Sequence, residues 1–243
     1  MKRVFVPTKD GTDWQRLLAK PNLHWKKGAS AMTAAACWED AADKLPPEVA
    51  ALLSGSSEPG LLDLTLLAAV PEWQVALPGG DTTSNTDVLA ICRNALGLCI
   101  VAVEAKVLED FGPLLKEKRE GASSNRDRRL AYLHELLGVP RFEDAIRYQL
   151  LHRTASALLT AQQFHASCAV MLVHAFGTPH QRRTDFTAFC AAMGSTEVSP
   201  GVWRAALSAG PALYLAWCDG DPNYLAVELP RAALASTSRN RTW

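Results

Sequence analysis

An α/β (α+β) fold, with strands and helices interleaved around one core, is what this sequence predicts, and three observations carry the prediction. Residues 89–91 and 100–103 are β-prone runs that are apolar at consecutive positions, as strands covered on both faces are. Helical patterns bounded by capping and breaking residues lie before and after them, over 30–43 and 142–162. The 243 residues, 48% of them hydrophobic, suffice for one large domain or a core domain with additions.

Taken in order, residues 1–28 begin with a strand-like run, Val4-Phe5-Val6, and turn polar around Trp14, Trp25, Lys26 and Lys27. A Trp beside two lysines either touches nucleic acid or anchors a terminal arm to the core, and anchoring is the commoner use. Ser30 is placed to cap an alanine-rich helix reaching Asp43 and carrying Trp38, Glu39 and Asp40, which Pro46-Pro47 breaks. A short helix over 48–54 ends in the loop 55–60. Residues 61–70 suit helix or strand, whereas 72–77 alternate polar and apolar and read as a strand.

Pro78-Gly79-Gly80 then turns the chain into strands near 86–93 and 98–106, joined by Asn94-Ala95-Leu96-Gly97, a loop of hairpin length. From Lys116 to Arg153, nine Lys/Arg against six Asp/Glu leave a local excess of three positive charges. Ser124-Asn125-Arg126-Asp127 resembles a capping box and starts a helix to about Leu137, closed by Gly138-Val139-Pro140. Residues 142–162 hold the longest helical pattern, with Phe142, Ile146, Leu150, Ala157, Leu158 and Ala161 in its apolar stripe. Gln149 and Arg153, four apart, share a face of it, with His152 beside them. A strand over 166–176, a helix over 183–193, strands near 202–207 and 212–218, and a last strand over 224–229 complete the expected elements.

Lys plus Arg and Asp plus Glu number 25 each, so no global field advertises nucleic acid, and any phosphate-binding surface is local. No apolar run reaches the ~18 residues of a membrane helix. Six dispersed cysteines (Cys37, Cys92, Cys99, Cys168, Cys190, Cys218), without a C-x-x-C pair or a signal peptide, point to reduced thiols in a soluble, cytoplasmic protein. Cys92 and Cys99 could face each other in the hairpin, but a disulfide is not expected in that compartment. The chain contains no G-x-S-x-G elbow, no phosphate-binding P-loop, and no His or Cys/His spacing typical of zinc.

If the 94–97 loop is symmetric, Arg93 faces Leu98, Ile91 faces Ile100, Leu89 faces Ala102, and Asp87 lies opposite Glu104. Lys106, two residues beyond Glu104, shares its face. Carboxylates opposed across a ladder repel, and near a core the cost rises unless a cation or a shared proton relieves it. A divalent metal with a lysine beside it would supply that relief. Register decides this, because a one-residue slip sends Asp87 to the other face.

Asp87 at one strand's start and Glu104-Ala105-Lys106 at the end of the next resemble the signature of the PD-(D/E)XK nuclease superfamily, with Thr86-Asp87 replacing the Pro-Asp of the name. The order of elements over about 30–176 is similar to that superfamily's αβββαβ core. The resemblance implies a restriction-endonuclease-like fold: a central mixed sheet flanked by helices, with C-terminal α/β additions. It divides the chain into an arm (1–29), a nuclease-like core (30–176), an extension packed on the core (177–235) and a disordered tail (236–243). The combination of His24-Trp25, the run from Tyr148 to Arg153, and Met171-Leu172-Val173-His174 also looks like a family of bacterial proteins with no activity to import.

Chemically, the resemblance implies phosphodiester hydrolysis dependent on Mg²⁺, for which Mn²⁺ could substitute. Asp87, Glu104 and the Ala105 carbonyl would hold the metal, with Glu39 completing the shell from its helix. Lys106 would orient or deprotonate the attacking water, Gln149 would support the site, and Arg153 and His152 would touch the substrate. The implied partner is a nucleic acid, DNA before RNA, in restriction, repair or phage defence, with a homodimer or a specificity-supplying partner subunit and no membrane. The rival expectation is a catalytically inactive nuclease-fold protein serving as a nucleic-acid or protein interaction module. A hydrolase of another ester or of a sugar is a third, and it leaves Lys106 without a clear role.

Overall fold

The computed structural model describes residues 10–80, 82–121, 123–177 and 179–231, so the expected Val4-Phe5-Val6 strand and the 236–243 tail lie outside the described residues. Among the described residues, seven strands form one sheet: β1 (Thr65–Val75), β2 (Ser84–Asn94), β3 (Gly97–Lys106), β4 (Cys168–Ala175), β5 (Thr196–Ser199), β6 (Val202–Ala205) and β7 (Ala212–Asp219). Their spatial order is β1-β2-β3-β4-β7-β6-β5, with β3–β4 and β4–β7 parallel and the other pairs antiparallel. The sheet is therefore mixed, and the last three strands extend it. The helices are α1 (Pro21–His24), α2 (Ser30–Asp40), α3 (Pro47–Ser54), α4 (Leu115–Arg119), α5 (Ser124–Leu136), α6 (Tyr148–Gln163) and α7 (His180–Ala192). None is long and apolar enough to cross a membrane.

Helices cover both faces. α2 and α3 pack over Val88, Val101, Val103, Val170 and Leu172. α5, α6 and α7 pack over Leu89, Ile100, Ala102, Met171 and Val173. Consecutive residues of the central strands thus enter different cores, which is why those strands are continuous apolar runs. Each buried Val, Leu, Ile or Met among them contributes roughly 1.5–3 kcal/mol.

The hairpin has the expected register: Arg93↔Leu98, Ile91↔Ile100, Leu89↔Ala102 and Val88↔Val103. Gly97, at φ 126°, makes the tight return, and Asn94 Oδ1 accepts from the Leu96 N–H at 2.9 Å. Cys92 pairs with Cys99 in the ladder, and all six cysteines are free and buried. Trp25 is an anchor: it is 1% exposed, and its Nε1 donates to the Pro230 carbonyl at 3.2 Å.

Several boundaries differ from expectation for local reasons. Residues 61–70 and 72–77 join as the single strand β1, which tolerates Pro71 because it is an edge strand. Ala29 and Ser123, not Ser30 and Ser124, occupy the cap positions of α2 and α5, and neither makes a side-chain cap. The helix expected from Phe142 starts only at Tyr148, since Arg147 is held in an isolated bridge to Leu114. Phe142 still enters the core, from the irregular segment before α6. A 3-10 turn, Pro222–Ala226, stands where a final strand was expected, while α4 and β5 had no clear signature.

Candidate functional site

The site grows out of the point where the hairpin ladder stops. Beyond Val88↔Val103, one further step of the register sets Asp87 opposite Glu104. There the backbone pairing gives way, and the Ala105 N–H donates to Asp87 Oδ2 at 2.7 Å. The N–H and C=O of a strand residue point to the same side, so the Ala105 carbonyl also turns toward β2. On β1, the pairs Pro71↔Val88 and Trp73↔Thr86 bracket Glu72 and place it opposite Asp87. Three adjacent strands therefore carry acids in one row: Glu72, Asp87 and Glu104. Glu72 has φ 50°, a backbone state that costs a non-glycine residue roughly 1–3 kcal/mol and persists only where its surroundings impose it.

This row faces a cleft of about 430 Å³, whose lining includes Glu72, Asp87, Glu104, Ala105 and Lys106 from the sheet and Gln149 and Arg153 from α6. Leu18, His24 and Ser30 reach it from the N-terminal side, and Glu109 from the segment after β3. Glu104, 3% exposed, is held on both oxygens. Gln149 Nε2 donates to its Oε1 at 2.7 Å, Lys106 Nζ lies 2.8 Å from the same oxygen, and Arg153 Nε donates to its Oε2. Arg153 also donates to Ser84 Oγ at 3.1 Å, and Lys106 sits over the Phe111 ring.

The electrostatics divide the three acids. Burial alone would raise the Glu104 carboxyl, but Arg153 and then Lys106 overcome it and hold it at about 2. For Asp87, loss of solvent and then the charge of Glu104 push the carboxyl up to about 7, against Arg153 and Lys106. Loss of solvent and then Asp87 push Glu72 up to about 8. The two cations are thus committed chiefly to Glu104, and the other two acids share a deficit of positive charge.

A hard divalent cation suits these donors, which are all oxygen. Gln149 Oε1 adds a buried oxygen with no hydrogen-bond partner. Among the described residues, the three acids do not all come within 4.8 Å of one another, so they do not enclose an ion by themselves. That matches Mg²⁺, which commonly takes one or two carboxylates and leaves its other positions to water and phosphate.

Asp87, Glu104, Ala105, Lys106, Gln149 and Arg153, all expected from the sequence, meet in this cleft. Glu39 does not line it. Its carboxylate accepts from Trp14 Nε1 at 2.8 Å, at the far end of α2, eight residues or about 12 Å along the helix from the cleft-lining Ala31. His152 is also elsewhere: its Nδ1 meets Ser84 Oγ at 2.8 Å, and it lines a second cleft of about 240 Å³ with Lys118, Arg126 and Arg129. Burial, then Arg153, lowers the His152 pKa well below the usual value, which favours the neutral ring in the wall of that second cleft. Glu72, Ser84 and Glu109 were not singled out from the sequence. Glu72 was recoverable from the alternation over 72–77, had the register of β1 against β2 been known.

No curated protein and no solved structure matches the chain. A family model described as a domain of unknown function, DUF6946, matches residues 7–222, and the chain belongs to that family.

Proposed function

We propose that this protein is a metal-dependent nuclease that hydrolyses phosphodiester bonds in DNA. One observation carries the reading: Asp87 and Glu104 meet at the end of a hairpin ladder with Lys106 in the same cleft. The order α2, β1-β2-β3, α6, β4 supports the likeness to the PD-(D/E)XK nucleases. Asp87, Glu104 and the Ala105 carbonyl would hold Mg²⁺ or Mn²⁺, with Glu72 rather than Glu39 beside them. When bound, the ion would supply Lewis-acid polarisation of the phosphate and a lowered pKa for the attacking water. Gln149 and Arg153 orient Glu104 by direct hydrogen bonds. Lys106, which lines the same cleft, would donate to the attacking water and offset charge building on the phosphate.

The test is to incubate the full chain with plasmid, single-stranded DNA and RNA in Mg²⁺, Mn²⁺ or EDTA. Cleavage of DNA that needs the divalent ion is expected, with Asp87→Asn and Lys106→Met each lowering it by roughly 10²-fold or more. Cleavage that persists in EDTA, or in both variants, would sink the proposal. A second reading, a non-catalytic interaction module, is favoured by the engagement of both Glu104 oxygens with Arg153, Lys106 and Gln149. It predicts nucleic-acid or protein binding with no cleavage in any ion.

A further inference from the structure

On the face of the sheet opposite α6 and Glu104, three side chains from distant parts of the chain converge. Cys37 comes from α2, Glu48 from the first turn of α3, and His174 from the end of β4. One oxygen, Glu48 Oε1, receives both partners: Cys37 Sγ at 3.6 Å and His174 Nε2 at 3.0 Å. The three ligand atoms all lie within 4.8 Å of one another, the one such grouping of His, Cys, Asp and Glu among the described residues. Cys37 is 1% exposed, His174 is 0% exposed, and the Glu48 side chain keeps 20% of its surface in solvent.

We propose that Cys37, Glu48 and His174 form a zinc site that fastens α2 and α3 to the sheet. Three arguments converge on this ion. Tetrahedral zinc at ordinary bond lengths sets sulfur–oxygen and nitrogen–oxygen edges of roughly 3.5 and 3.3 Å, close to the 3.6 and 3.0 Å observed. One sulfur, one imidazole nitrogen and one carboxylate oxygen suit borderline-soft zinc, whereas Mg²⁺ and Ca²⁺ require oxygen. Thiolate, carboxylate, neutral imidazole and Zn²⁺ sum to zero charge, which an apolar core tolerates far better than an isolated ion. On binding, the Cys37 thiol releases its proton to solvent as the Zn–S bond forms, and water reaching the Glu48 side fills the fourth position.

The surroundings fit a fixed, single-ligand histidine. His174 lies between Ala105 and Cys218 in the parallel ladder, with its ring 4.3 Å from that of Phe176. A Cβ at Gly220 would fall 2.5 Å from the Phe176 ring and 2.9 Å from His174 Nε2, so glycine is needed there. Because the start of α2 lines the acid cleft, a metal on Cys37 would also hold one wall of that cleft in place.

The experiment is to prepare the metal-free full chain and titrate it with Zn²⁺, and separately with Co²⁺ as a spectroscopic substitute. One equivalent that depends on Cys37 is expected, with a thiolate-to-cobalt charge-transfer band and a raised thermal midpoint. Cys37→Ser should abolish the band, and His174→Gln should weaken zinc binding by more than the ~10–100-fold that loss of an outer supporting group causes. Asp87→Asn should retain both metal and band, which separates this site from the acid cleft. If His174→Gln fails to fold, the cobalt spectrum of the wild-type chain and of Cys37→Ser still decides. No charge-transfer band in the wild-type chain, or unchanged zinc affinity in Cys37→Ser, would overturn the proposal.

Discussion

Asp87 and Glu104 are chemically alike and sit in one row, yet their surroundings drive them in opposite directions. Glu104 is held at about 2 by Arg153 and Lys106, so its stabilisation is present above the ordinary value of 4.5 and is lost as pH falls toward 2. Asp87 and Glu72, raised to about 7 and about 8, bind more protons folded than unfolded. Stability of the metal-free protein should therefore fall as pH climbs from about 3.8 toward 7 and on toward 8. In urea melts at pH 5 and pH 8, the wild-type chain should be the weaker at pH 8, and Asp87→Asn should flatten the difference. Mg²⁺ should restore the wild-type midpoint at pH 8 and leave Asp87→Asn unmoved, because only a bound ion stabilises by mass action. Equal midpoints with and without Mg²⁺ would count against metal binding in the cleft.

At the scale of elements, two helices set the site by reaching across to the strands. α6 places Gln149 and Arg153 four residues apart, one turn along the same stripe, so both meet Glu104. Arg153→Met would leave Lys106 as the one cation on Glu104, and breaking a buried pair of this kind costs about 3–5 kcal/mol, readable as a lowered urea midpoint. From α5, Arg129 donates to the carbonyls of Leu77, Pro78, Gly80 and Thr82 and to Thr82 Oγ1. That guanidinium fixes the loop leading into β2. A Cβ at Gly79 would fall 2.1 Å from the Asn125 carbonyl, so the loop lies hard against α5. Arg129→Met should cost about 3 kcal/mol, since charged hydrogen bonds contribute about 1.5–3 kcal/mol each and do not add, and should speed amide exchange at Thr83 and Ser84.

These elements also mark what the sequence reveals. The β2–β3 register was legible because a two-ended constraint, a short Gly-closed loop and matching apolar runs, leaves one alignment. The β1–β2 register was not, because their connection is longer and passes through the Arg129 clamp, a contact with a distant helix. Glu72 was hidden with it. Glu39 was misplaced because its helix was recognised while its distance from the cleft depends on how α2 lies on the sheet. The Cys37, Glu48 and His174 cluster has no spacing signature, since its ligands meet only through the packing of α2, α3 and β4.

For the whole molecule, the sheet order decides where the chain can be divided. The run from α2 through β1-β2-β3 and α6 to β4 ends at residue 175, and by element order alone a piece ending near 176 would stand alone. The structure argues otherwise. β4 is hydrogen-bonded on one side to β3 and on the other to β7, from Cys168↔Ala212 through Ala175↔Asp219. All eight β4 residues are buried, and Phe186, Leu213, Leu215 and Trp217 from beyond residue 176 belong to the α6-side core. Cutting at 176 would expose β4 as a long, flat apolar edge, which templates aggregation. It would also remove Tyr214, which donates to Glu58 at 2.8 Å, and Arg204, which lies 3.1 Å from the same carboxylate. A fragment of residues 10–176 should therefore be insoluble or elute as large aggregates in size-exclusion chromatography, whereas residues 10–231 should elute as a compact species with a cooperative melt. A soluble, cooperatively folding 10–176 fragment would show that the outer three strands are an accessory layer rather than an integral part of the core.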